Sequence, residues 1–181
     1  MAIASAFRAI VKSSRTNKTP RRQAMPKKAS SEDARLVLRL YDLRRETEMR
    51  KARDWWAAQF WPESVEDYMN IAMGIGKQES KWLRQVASFW EMAATLVNHG
   101  ALNEKLFLEL SCSGEMYFIF GKLRPFLKEI RERTHSPEAF ENIEKVILGS
   151  AVGRRRLAVI EGNIRRRREM LAKAKVSAAV S

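Results

Sequence analysis

A single cysteine, Cys112, stands in the 181 residues. No disulfide can form within the chain, and such usage fits a reducing compartment. Histidine is almost as scarce, with only His99 and His135, which leaves little from which to build a zinc site. No apolar run approaches the roughly 18 residues that a membrane-spanning helix needs. The opening stretch MAIASAFRAIV includes Arg8 and lacks the long apolar core of a secretory leader. No segment alternates apolar and polar residues with the period of a half-buried strand, and no repeat of fixed period is present. Negative charge is missing locally: residues 1–30 hold eight Lys or Arg and no Asp or Glu.

What is present is a body of ordinary composition between two cationic ends. Hydrophobic residues make up 45% of the chain, enough to bury a sizeable core in one domain. The net charge of +13 divides into +8 for residues 1–30, −2 for residues 31–153 and +7 for residues 154–181. That asymmetry marks interaction tails. The expected organisation is a basic flexible tail over 1–30, a helical domain over 31–153, and an arginine-rich helix and tail over 154–181. Within the first segment, Ile3, Phe7, Ile10 and Val11 form an apolar stripe on a short helix. Residues 12–30 read as a linker, because they cannot bury enough apolar surface to offset chain entropy.

Helical periodicity runs through the body. Ser30 and Asp33 have the spacing of a capping box and predict a long helix to about residue 60. Its middle, RRETEMRKARD, offers Glu46/Arg50 and Arg50/Asp54 as pairs four apart on a solvated face. Ser64 and Asp67 predict a second capped helix to about residue 73. A third helix covers about 77–98, with Trp82, Val86, Phe89, Trp90 and Ala93 on its apolar face. Asn103 caps a short helix, and residues 111–114 read as a turn. A helix over 115–133 follows, kinked or broken by Pro125. Ser136 and Pro137 predict a further helix start, residues 149–153 a loose joint, and residues 154–175 a final helix. The fold class is all-α: an irregular bundle of about six helices with a basic C-terminal helix and a disordered basic N-terminal tail.

No motif specifies catalysis. The GIGKQES stretch at residues 74–80 fails as a phosphate loop, since Ile71 stands where glycine is required and Gln78 where Ser or Thr is, and no strand precedes it. Glu132 and His135 make one ExxH, whereas a di-iron bundle uses two; both histidines read as decorations of helix ends. Cys112 has no nameable base beside it. No catalytic residue, metal or cofactor is assigned. Trp55 and Trp56 are adjacent and point about 100° apart; the first reading is core packing of a helical bundle, with one of the pair a candidate contact for a protein partner or a stacking platform for bases.

The arginines carry the functional expectation. Arg154, Arg155, Arg156, Arg165, Arg166, Arg167 and Arg168 lie within fifteen residues, with Glu161 the one acid among them and Glu169 just beyond. Leu157, Ile160, Ile164 and Leu171 fall close to one face of that helix. Arg168 interrupts the stripe, so the far end is expected to leave the bundle. Like charges four apart cost stability, and guanidinium forks match phosphate oxygens. Together with Arg8, Lys12, Arg15, Lys18, Arg21, Arg22, Lys27 and Lys28 they form the candidate polyanion-binding set.

The stretches LVLRLYDLRRETEMRKARDWW, FWEMAATLVNHGALNEKLF and GEMYFIFGKLRPFLKEIRE resemble an uncharacterised all-helical family of soil bacteria, over about residues 33–150. The resemblance implies an all-α bacterial domain and supplies no catalytic residue, substrate or partner.

The expected role is therefore non-enzymatic. It is a binding or accessory protein that docks on a polyanion through its basic ends, RNA foremost, with ribosome association as one form of it. The alternative is a peripheral membrane or protein-scaffolding module using the N-terminal stripe on an anionic lipid surface. An enzyme of the helical core stands third. The expected location is the cytoplasm, or an organelle if residues 1–30 are a transit peptide.

Overall fold

Short polar signals start helices where the sequence puts them. Ser30 Oγ accepts from the Asp33 amide at 3.1 Å, and the Asp33 carboxylate accepts from the Ser30 amide at 2.8 Å. This reciprocal pair is a capping box. Ser64 and Asp67 repeat it, and Asn103 Oδ1 accepts from the Leu106 amide at 2.9 Å.

The computed structural model describes residues 28–180, with the side chains of Lys175 and of 178–180 left aside. Among the described residues there are nine α-helices and no strand. They are α1 (Ser31–Leu43), α2 (Thr47–Ala58), α3 (Val65–Ala72), α4 (Gln78–Asn98), α5 (Glu104–Phe107), α6 (Leu110–Leu123), α7 (Leu127–Arg133), α8 (Glu141–Gly149) and α9 (Ala151–Val180). A single 3₁₀ turn, Arg124–Phe126, separates α6 from α7 at Pro125, the break that proline predicts. The long α4 is the spine: α2 and α8 pack against it, and α9 packs across α6 and α8.

Several boundaries differ from expectation. The long helix over 31–60 is two helices. Glu46 is not paired with Arg50; its carboxylate accepts from the Met49 amide at 2.9 Å and caps α2. Arg53 is not on a solvated face either. Its Nε donates to both oxygens of Glu115, at 2.8 and 3.0 Å, and its Nη1 reaches the Arg44 carbonyl across the break. The turn expected at 111–114 is helical from Leu110, with a kink at Ser113. Ser136 and Pro137 do not start a helix. Phe140, at φ 59, precedes α8, and Glu91 of α4 caps it by accepting from the amides of Asn142 and Ile143 at 2.8 and 3.2 Å. The joint at 149–153 shrinks to Ser150, and the last helix runs to Val180 instead of residue 175.

The core is aromatic. Trp56, Trp90, Tyr117, Phe107 and Phe120 are its largest fully buried members. Both members of the adjacent tryptophan pair are inside, Trp55 at 5% and Trp56 at 1% exposure, as core packing requires, and neither is free to face a partner or stack on bases. Trp55 stacks on Phe60 with centroids 4.8 Å apart, and Trp56 meets the same ring edge-on at 4.9 Å. The pair can enter one core because α2 is covered on one side by α4 and on another by the end of α6.

The boundary expected at residue 153 falls inside α9, whose Leu157 and Ile164 are 2% and 3% exposed. Two glycines let α9 approach its neighbours. A Cβ at Gly121 of α6 would meet Ile164 Cδ1 at 2.9 Å, and one at Gly153 would overlap the Ile147 carbonyl. Gly153→Ala is expected to destabilise the fold by about 1–3 kcal/mol through overpacking, read as a lower urea midpoint. Gly149→Ala, with nothing within 4 Å of the new carbon, should shift stability by less than about 1 kcal/mol.

Candidate functional site

Helix geometry sorts the seven arginines of α9 before any contact is considered. Successive residues step about 100°. Ile164 points into the core, so Arg165, Arg166 and Arg167 sweep round the outward side, and Arg168 returns to the inner face. All three outward residues are exposed, whereas Arg168 is partly buried. Among the described residues Arg165 and Arg167 have no hydrogen-bond or ion-pair partner, and Arg166 reaches only Asn163 Oδ1 on its own helix.

The N-terminal block divides in the same way. Arg154 donates to the Leu148 carbonyl. Arg156 donates to the Leu108 carbonyl and pairs with Glu109 at 2.8 Å. Arg155 is exposed and makes no such bond among the described residues. The seven are therefore not one surface. Arg154, Arg156 and Arg168 bind the body's own backbone, and Arg155 and Arg165–Arg167 face water. Of the remaining candidates, Lys28 is exposed; Arg8, Lys12, Arg15, Lys18, Arg21, Arg22 and Lys27 lie outside the described residues, as does the Ile3/Phe7/Ile10/Val11 stripe.

Arg168 does not lead the helix away from the bundle, as its place in the stripe suggested. Its Nη2 donates to the carbonyls of Pro62 at 3.0 Å and Lys122 at 3.3 Å. Burial pushes the guanidinium below its ordinary range, and Glu63 partly offsets that. The helix loses its cover only beyond Leu171.

Beside Arg168 lies a residue that sequence reasoning missed. Lys122, near the end of α6, is 0% exposed. Its Nζ donates to the Trp56 carbonyl at 2.5 Å and to the Phe60 carbonyl at 2.7 Å. Those carbonyls belong to the C-terminal end of α2 and the turn after it, where helical acceptors run out. The same nitrogen lies 3.7 Å from the Trp61 ring centroid and 4.3 Å from that of Phe118. Burial, and secondarily the Arg168 cation, push its pKa from 10.5 down to about 7. A neutral amine still has two N–H groups, one for each carbonyl. The sequence does carry a signal: positions three and four residues either side of Lys122 are Ile119, Phe118, Pro125 and Phe126. A lysine there has no acidic partner on its own helix.

Glu115, half-buried, is the other polar hub. Besides Arg53 it pairs with Arg44 at 3.4 Å and accepts from Trp90 Nε1 at 3.1 Å. His99 is the C-cap of α4 and His135 follows α7 at φ 51, both at helix ends. Among the described residues no group of three His, Cys, Asp or Glu side chains is placed to hold a metal ion, and no helix is long and apolar enough to cross a membrane.

A family model described as a domain of unknown function (DUF4760) matches residues 29–150. No curated protein and no solved structure matches the chain.

The depressed pKa of Lys122 gives stability a direction with pH. Between about 7 and 10.5 the unfolded chain keeps the proton that the folded chain has lost, so stability rises with pH across that window. The unfolding free energy from urea titrations is expected to climb from pH 7 to pH 9, by at most about 1.4 kcal/mol per pH unit. Lys122→Met should flatten that slope; an unchanged slope in the variant would show that the lysine is not its source.

Proposed function

The chain belongs to the DUF4760 family, a domain of unknown function; with its own surface left to supply the reading, we propose that it is a non-enzymatic accessory protein of the cytoplasm that docks on a polyanion, RNA foremost. The observation that supports this reading is the outward turn of α9. Three consecutive guanidinium groups, Arg165, Arg166 and Arg167, fan out over the exposed side with no carboxylate partner among the described residues. Solvated helices normally mix signs. Here the cations crowd together, and repulsion between them is relieved only when something anionic arrives. Phosphate oxygens suit guanidinium forks, and contacts of this kind are indifferent to base sequence and sensitive to salt. The acid-free residues 1–30 add eight cations to the same chain.

The test is a salt titration of binding to a labelled single-stranded RNA, followed by fluorescence anisotropy. Affinity should fall steeply with salt and be alike for unrelated sequences of equal length. Replacing Arg165, Arg166 and Arg167 together by alanine should weaken binding and lower the log–log salt slope by about 2. Arg168→Ala should leave that slope alone and reduce stability, because it strips donors from the Pro62 and Lys122 carbonyls. A slope unaltered by the triple replacement would sink the reading. Binding to anionic vesicles in place of RNA, lost on Phe7→Glu, would transfer it to a membrane surface.

A further inference from the structure

A shallow groove of about 520 Å³ runs along one side of α4. Gln85, Phe89 and Met92 form one wall; they are spaced four and three apart and so share a face of the helix. Leu43, at the end of α1, and Glu46, at the start of α2, form the other, with Met49 as the floor. The walls face water: Leu43 is 41% and Met92 46% exposed, and Phe89 is half-buried. Glu46 is the one charged side chain of the lining. The amide of Met49, and after it that of Glu48, holds its carboxyl below the ordinary carboxylate range. The lining therefore carries one negative charge and no positive one.

An apolar groove bordered by a carboxylate suits an amphipathic helix that lies in it by its apolar side and has a cation on its flank. The chain itself supplies one. Residues 1–11 hold Ile3, Phe7, Ile10 and Val11 at helical spacing, Arg8 at the flank of that stripe, and no acid. Eleven residues are too few for a helix to be stable in water unaided, so the spacing has a use only against a surface. The dimensions agree. From Ile3 to Val11 a helix rises about 12 Å, and from Gln85 to Met92 α4 rises about 10 Å. Helix α1 begins at Ser31, is about 20 Å long, and ends at Leu43 in the groove wall. Sixteen residues, 12–27, join the stripe to the first described residue, Lys28. A flexible chain of that length has a typical span of about 20 Å, so the groove is within its reach. Such a tether supplies an effective concentration on the order of mM. A second copy would have to fill the same groove without that advantage.

We propose that this groove is the docking site of the chain's own residues 3–11, which lie in it as a short helix with Ile3, Phe7 and Ile10 on Leu43, Phe89 and Met92 and with Arg8 beside Glu46. The contact is separate from the polyanion reading, which rests on Arg165–Arg167.

The test is paramagnetic broadening in the full chain with isotope-labelled methionine methyls, in the absence of RNA. A nitroxide is attached through Ser5→Cys, on the side opposite the stripe, with Cys112→Ser removing the native thiol. The Met92 methyl should lose most of its intensity. Met73, beyond the start of α4 and about 20 Å from Met92, should lose little. Phe7→Glu should restore the Met92 signal. So should Leu43→Lys, which puts a cation in the facing wall at an exposed position, and the unshifted methyl of fully buried Met116 checks that this variant folds. Broadening of Met92 that survives Phe7→Glu, or that is matched by Met73, overturns the proposal. A mixture of nitroxide-bearing unlabelled chains with labelled chains free of nitroxide tests for a second copy: broadening as strong there as within one chain overturns it too. So does an unbroadened Met92, and binding of the same stripe to anionic vesicles would then assign it to a lipid surface. A failed RNA titration leaves each of these outcomes unchanged.

Discussion

A lysine amine buried without a counter-anion fixes more of this molecule than any other contact. Lys122 cannot be hydrated, and no carboxylate neutralises it, so it is held by two backbone carbonyls and two aromatic faces. That arrangement dictates what surrounds it. The end of α2 must bring the Trp56 and Phe60 carbonyls inward, which seats both Trp55 and Trp56 in the core. The turn that follows must place Trp61 over the nitrogen. The carbonyl of Lys122 itself then accepts from Arg168, which ties the last helix to the same spot. Two cations so close would repel; burial and the Arg168 charge together draw the lysine toward its neutral form, and both groups donate to carbonyl dipoles. The outcome is a joint between α2, α6 and α9 built from main-chain acceptors and nitrogen donors.

Glu115 performs the complementary task two turns earlier on the same helix. One carboxylate serves Arg44, Arg53 and Trp90, and so fixes the angle between α1 and α2 as well as their seat on α4. The two hubs explain why a body of near-neutral composition carries charges that do not behave as surface charges. Counting residues by sign describes the chain as a balanced domain with cationic ends. Counting them by partner moves Arg44, Arg53, Lys122 and Arg168 into the structural framework and leaves the water-facing cations of α9 as a smaller, better-defined set.

What was legible in the sequence was what is settled locally. The capping boxes at Ser30 and Ser64, the Asn103 cap and the break at Pro125 need only a few neighbouring residues, and they stand where the pattern put them. The division of the first long helix could not be read, because it has no glycine or proline and depends on Glu115 some seventy residues away. The cap of α8 is equally remote, coming from Glu91. The adjacent tryptophans looked incompatible with one core because periodicity assumes a single buried face, whereas α2 is covered from two sides. The arginine blocks were visible as charge. Which of them turn inward depends on where α9 lies against α6 and α8, and small residues let it approach: Gly121 on the α6 side and Gly153 on the α8 side.

The stretch shared with other DUF4760 members ends at residue 150, one residue before α9 begins. Yet Leu157 and Ile164 complete the core, and Arg168 closes its end. A recombinant fragment trimmed to the family boundary would uncover the α6 surface that α9 shields and leave it available to other hydrophobic chains. Expression limits for this protein therefore belong past residue 171, well outside the borders that similarity alone would suggest.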